Sequence, residues 1–175
     1  MHFNDKYAVK FAALLYFSLF SISACDTSML TSEPPTILAD VIFQSIQCHA
    51  VTPEPSLVMV SSQEQLDFLL HEFNRQILGA KPKPYLVDFN STNVLVLEMG
   101  YRSTAGYSLS LSEAKIRLKN KEAIVTALWD EPHEDSMQAQ VITSPCVIFA
   151  LPKGDYSKVT VDILNKDSQY SVLLL

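Results

Sequence analysis

Glycine is scarce in this chain: 4 of 175 residues, beside 9 prolines. That scarcity excludes a collagen-like repeat and a Gly/Ser linker array. It also leaves too few glycines for a loop that cradles phosphate with its backbone N–H groups. Charge is sparse too, at 18% of residues, with a formal net charge of −6. Low charge beside 48% hydrophobic residues excludes a strongly charged disordered chain. A net negative chain lacks the electrostatic footprint of a nucleic-acid binder, so no nucleic-acid partner is expected. The sequence has no G-x-S-x-G elbow and no H-E-x-x-H helix. No catalytic residue, metal or cofactor is assigned, and a non-enzyme is expected.

The apolar stretch from Phe11 to Ala24 is shorter than the about 20 residues a bilayer-spanning helix needs. Lys6 and Lys10 precede it, and small residues close it. A basic head, a short apolar core and small residues make an export signal. Its end, Ile22-Ser23-Ala24-Cys25, resembles a bacterial lipobox. In proteins with that pattern the Cys thiol receives diacylglycerol and becomes the new N-terminus. The expectation is a lipoprotein signal over residues 1–24 and a lipid on Cys25. The chain is then anchored to a membrane of the cell envelope, on its periplasmic or surface face. Asp26 resembles an inner-membrane retention signal, which leaves inner against outer membrane open. The mature chain has 175 − 24 = 151 residues. It carries 11 basic and 18 acidic residues, a formal charge of −7.

Residues 25–40 read as the lipidated Cys and a flexible tether, polar and Pro-containing around Pro34-Pro35. Residues 41–175 read as one β-rich domain. Val41 to Cys48 and Leu57 to Val60 read as strands. Ser61 and Glu64 have capping-box spacing, and Leu66, Leu69, Leu70, Phe73 and Ile77 recur at helical spacing. Gly79 closes that helix, and Lys81-Pro82-Lys83-Pro84 is extended. Val94 to Met99 is a continuous apolar run, as in a strand buried on both faces. Tyr107, Leu109 and Leu111 alternate with serines. Asn120-Lys121 marks a hairpin turn before a strand from Ala123 to Trp129. Gln140 to Thr143 and Cys146 to Leu151 read as strands flanking Ser144-Pro145, where a bend belongs. Val159 to Ile163 and Tyr170 to Leu175 end the chain. The expected class is α+β, β-rich: a small antiparallel β-sandwich or partly open barrel with one amphipathic helix packed on it.

The run Gly100-Tyr101-Arg102-Ser103-Thr104-Ala105-Gly106-Tyr107 resembles the G-x-[K/R]-x-T-G-G-Y signature of the PrcB C-terminal domain family. Trp129-Asp130-Glu131-Pro132 and Thr143-Ser144-Pro145-Cys146 follow in the family's order. The resemblance spans about residues 92–163, and Ala105 departs from it at the second Gly of T-G-G-Y. The family is named after a subunit of a bacterial surface protease complex. The resemblance therefore implies an interaction module with a protein partner, as an accessory or stabilising subunit of a protease complex. Its motif residues are Gly100, Arg102, Thr104, Gly106, Tyr107, Thr143 and Pro145.

Read from the residues alone, Gly100 and Gly106 bracket a tight loop where Cβ atoms would clash or φ must be positive. Thr104 suits a turn, and Tyr107 packs inward. Arg102 either pairs with Glu98 or Asp130, faces solvent, or meets a partner's carboxylate. Cys48 and Cys146 are expected to form a disulfide in an oxidising compartment, against two separate buried thiols. His133 among Asp130, Glu131, Glu134 and Asp135 reads as a solvated loop, not a metal site. Two rival functions stay open. One is a peptide- or glycan-binding lipoprotein with a pocket at Tyr101, Arg102 and Tyr107. The other is a hydrolase with an unrecognised site, for instance His49 with the 130–135 loop.

Overall fold

The structure is a computed structural model, and it describes residues 34–74 and 84–174. The export signal, Cys25, the helix end at Ile77 and Gly79, and Lys81-Pro82-Lys83 lie outside those residues. The described strands are β1 (Thr36–Leu38), β2 (Asp40–Ser45), β3 (Ser56–Val60), β4 (Thr92–Glu98) and β5 (Ser108–Leu111). They continue as β6 (Lys115–Lys119), β7 (Glu122–Asp130), β8 (Cys146–Pro152), β9 (Lys158–Ile163) and β10 (Ser168–Leu173). A helix, α1 (Gln63–Asn74), lies between β3 and β4. One sheet has the order β1-β6-β7-β9-β10, with β5 also on β7; the other has β2-β8-β4-β3.

Burial explains why these residues form these strands. In β6, Ile116 is buried between exposed Lys115 and Arg117, the alternation of a half-buried strand. Ala123, Val125, Ala127 and Trp129 of β7 face Leu95, Leu97, Val147 and Phe149 of the other sheet in one core. The opposite faces of β4 and β8 offer Val94, Val96, Ile148 and Ala150 to Leu66, Leu70 and Phe73 of α1. That sheet is covered on both faces, so its strands read as unbroken apolar runs. Asn120 (φ 52°) and Lys121 (φ 64°) make the β6–β7 turn with two positive φ values, as a twisted two-residue hairpin requires.

The β-rich, sandwich-like class is observed, and the sheets do not close into a barrel. Several details differ from the sequence reading. Thr36–Leu38, inside the stretch read as tether, is a strand paired with β6. Three residues are too few to show a period. The Ala39 N–H then bonds the Ala114 carbonyl (2.7 Å), and the chain bends into β2 of the other sheet. The sheets are not wholly antiparallel, because β7 and β9 run parallel. The chain leaves β7, passes through β8 in the second sheet and returns, which restores its direction. Residues 140–142 form no strand. The helix starts one residue later than the Ser61/Glu64 spacing indicates. The Gln65 N–H donates to Ser62 Oγ (3.2 Å), and Gln65 Oε1 accepts from the Ser61 N–H (2.9 Å). Gln65 serves where an acid is usual.

Candidate functional site

Strand β4 ends at Glu98, and the chain turns at once. Gly100 has φ +78°, and a Cβ there would lie 2.4 Å from the Pro53 carbonyl oxygen. Only glycine meets both conditions. Gly106, at the far end of the loop, has φ +95°, and its Cβ would lie 2.8 Å from Gln138 Oε1. Ala105 has no positive φ. Its departure from T-G-G-Y therefore costs no backbone strain.

Between the glycines, Arg102 is the hub. Its guanidinium donates to the Pro53 carbonyl (2.9 Å), the Tyr101 carbonyl (3.0 Å) and the Met99 carbonyl (2.6 Å). Its Cζ lies 5.2 Å from the Trp129 ring centroid and 5.9 Å from that of Tyr107. Of the alternatives open for Arg102, an ion pair with Glu98 or Asp130 is not the arrangement found. Glu98 accepts from Ser56 Oγ (3.1 Å) and Asp130 from Ser108 Oγ (2.8 Å). Arg102 is spent on carbonyls because Met99 and Tyr101 of the β4–β5 loop and Pro53 of the β2–β3 loop turn theirs toward one point, and a five-donor fork suits them.

The third family element closes over this loop. The Arg102 N–H donates to the Thr143 carbonyl (2.7 Å), and the Thr143 N–H returns to the Arg102 carbonyl (2.9 Å). Thr143 Oγ1 donates to the Thr104 carbonyl (2.9 Å), so Thr104 contributes its backbone here. The Met99 N–H donates to the Pro145 carbonyl (2.8 Å), and the Ser144 N–H to the Ile46 carbonyl (2.9 Å). Pro145 itself needs no donor just before β8 begins at Cys146. Tyr107 is half-buried against the main core, as its inward packing required. All seven motif residues thus lie at one end of the sandwich.

Trp129, Glu131 and Lys166 join this end and were not singled out from sequence as site residues. The Trp129 indole N–H donates to Glu131 Oε1 (2.9 Å), which also meets Lys166 Nζ (2.5 Å). Lys166 Nζ lies 5.1 Å from the Trp129 ring centroid. The Lys166 bond, the indole N–H and the Arg102 charge hold the Glu131 carboxyl below its ordinary range, against a smaller effect of burial. The signal was faint: Trp129 and Glu131 are two apart, but β7 ends between them at Asp130.

Cys48 and Cys146 form a disulfide, with Cα atoms 5.9 Å apart and both residues buried. It ties β8 to the segment after β2, beside the motif. Among the described residues no three His, Cys, Asp or Glu side chains gather as a metal site. His133 Nδ1 instead faces the Asp135 N–H (3.4 Å) within its own loop. A cleft of about 300 Å³ is lined by Leu38, Asp40, Tyr85 and Leu86 among others, and by none of Tyr101, Arg102 and Tyr107.

The motif end is apolar at its surface. Tyr101, Val141, Ile142 and Ile46 are all exposed, and they adjoin residues bonded to one another there. Residues 94–152 match the family model described as PrcB C-terminal. That span runs from β4 to the end of β8, so it contains all three motif elements and stops short of β9. No curated protein and no solved structure matches the chain.

Proposed function

We propose that this chain, of which residues 94–152 match the PrcB C-terminal family model, is a lipid-anchored accessory subunit of a cell-envelope protease complex. The family match is consistent with a protease-complex-associated subunit, and it is the observation that carries the reading. The module acts by docking, not by catalysis. Support for that comes from the sequence, which lacks the nucleophile and metal motifs named above. Arg102 and Thr143 hold the motif loop rigid, and a preorganised loop loses little entropy on binding. Tyr101, Val141 and Ile142 then supply the apolar contact, in keeping with the aromatic and aliphatic anchors of interface centres.

The cell-envelope address rests on Ile22-Ser23-Ala24-Cys25, with Cys25 as the lipidated residue. The buried Cys48–Cys146 disulfide supports it, because such bonds persist outside the reducing cytosol. Mild crosslinking of intact cells, followed by purification of this chain and mass spectrometry, tests the reading. A protease or another subunit of its complex is the expected co-purifying protein. Recovery of the chain alone across a series of detergents contradicts it.

A further inference from the structure

Residues 137–142 run without a turn or bend, yet they belong to no ladder. Val141, Ile142 and Thr143 are β-branched in sequence, the side chains that favour an extended backbone. Val141 is 50% exposed and Ile142 67%. This is the composition of a strand, held extended at the motif end, without a neighbouring strand.

In an extended chain, successive residues turn their N–H and C=O groups to opposite sides. Thr143 turns both toward Arg102, and the two residues exchange a pair of bonds. Ser144 turns the other way. Its N–H donates to the Ile46 carbonyl, and its carbonyl accepts from the Cys48 N–H, 2.9 Å each. Ile142 and Gln140 stand in the phase of Ser144. Among the described residues, neither has a hydrogen bond to the protein. Two donors and two acceptors in a row thus face an open lane. Another extended backbone complements such a row group by group. Residues 45–48 and 138–142, which border the lane, carry no charge. A charged strand laid there would lose hydration with no ion pair in return. Ile46 and Tyr101 add exposed apolar surface beside it. The β-branched run is already stiff, so pairing orders little that is free.

We propose that residues 140–142 accept an added β-strand: an extended, uncharged segment of the partner with apolar residues at alternate positions. This rests on the docking reading above and gives the chemistry of the partner at that same end. The probe is a synthetic peptide of alternating Thr and Val, with a Lys at each end for solubility. Its control is the same peptide N-methylated at alternate residues, which cannot donate from its backbone. Amide hydrogen exchange of the full chain is read residue by residue, with the open edges of β3 and β10 as internal comparison.

The Gln140 and Ile142 amides are expected to slow about tenfold at a peptide concentration about ten times its Kd, and not with the methylated peptide. Ile142→Pro, which removes one donor, should weaken peptide binding about fivefold, whereas Ile142→Val should stay within about twofold. No slowing at 140 and 142, equal slowing by both peptides, or slowing only at β3 or β10 overturns the proposal. So does equal binding by the Pro and Val variants. Slowing in the chain alone that grows with its own concentration also overturns it, and assigns the lane to a second copy. Crosslinking in cells is scored separately: a parent chain that captures no subunit contradicts the docking reading, and the peptide still decides the strand.

Discussion

Arg102 and Thr143 are reciprocal backbone partners, 2.7 Å and 2.9 Å, across 41 residues of sequence. Through that bridge the β4–β5 loop and the approach to β8 become one rigid end of the sandwich. Arg102 also closes the loop from its side chain, on three carbonyls and beside two aromatic rings.

Arg102→Ala is therefore expected to destabilise the fold by about 1–3 kcal/mol, since it strands carbonyls and removes the ring contacts. Arg102→Lys should recover only part of that, because an ammonium lacks the planar fork. Urea unfolding measures both. An alanine variant within about 0.5 kcal/mol of the parent would remove Arg102 as the staple.

Gly100→Ala should cost more than Gly106→Ala. The first Cβ meets the backbone of Pro53 at 2.4 Å, whereas the second meets only side-chain atoms, of Gln138 and of Pro132, no nearer than 2.8 Å. Ala105→Gly, with no positive φ to relieve, should cost about 0.5–1 kcal/mol through the freer unfolded chain. Thermal melts of the three variants give the order. A stabilising Ala105→Gly would show that the loop is strained there.

The disulfide closes a sequence separation of 98 residues. The chain-entropy model assigns a loop of that size about 4–5 kcal/mol. Denatured, unreduced mature domain should show no free thiol from Cys48 or Cys146, and reduction should lower the unfolding midpoint markedly. An unchanged midpoint would mean that the packing alone holds β8 to the segment after β2.

Glu131 supplies a pH signature. Its carboxyl is held below the ordinary value of 4.5, chiefly by Lys166. A depressed folded pKa adds stability that is complete above the unfolded value and is lost as pH falls through the folded one. Acid titration of stability should thus fall below about pH 5, more gently in Glu131→Gln than in the parent. Identical acid limbs would show that Glu131 contributes nothing to it.

Much of this was legible in the residues. Val94 to Met99 read as a buried strand and Cys146 to Leu151 as a strand, and both are apolar because both faces of their sheet are covered. Leu66, Leu70 and Phe73 marked the helix face, and Asn120-Lys121 marked the hairpin. Gly100 and Gly106 were singled out for the two conditions they meet. The partners of Arg102 were not legible, because the Pro53 carbonyl is 49 residues away and carries no side-chain identity. The parallel β7–β9 pairing was hidden too, since a crossover through another sheet leaves no local pattern. β1 was missed for its brevity.

The central claim is that the motif end is the docking face. A photo-crosslinking residue placed at exposed Ile142, and separately at Lys153 of another loop, tests it in intact cells. The account predicts a covalent adduct with a protease-complex subunit from position 142 and none from position 153. No adduct at 142, or the same adduct from both positions, contradicts it.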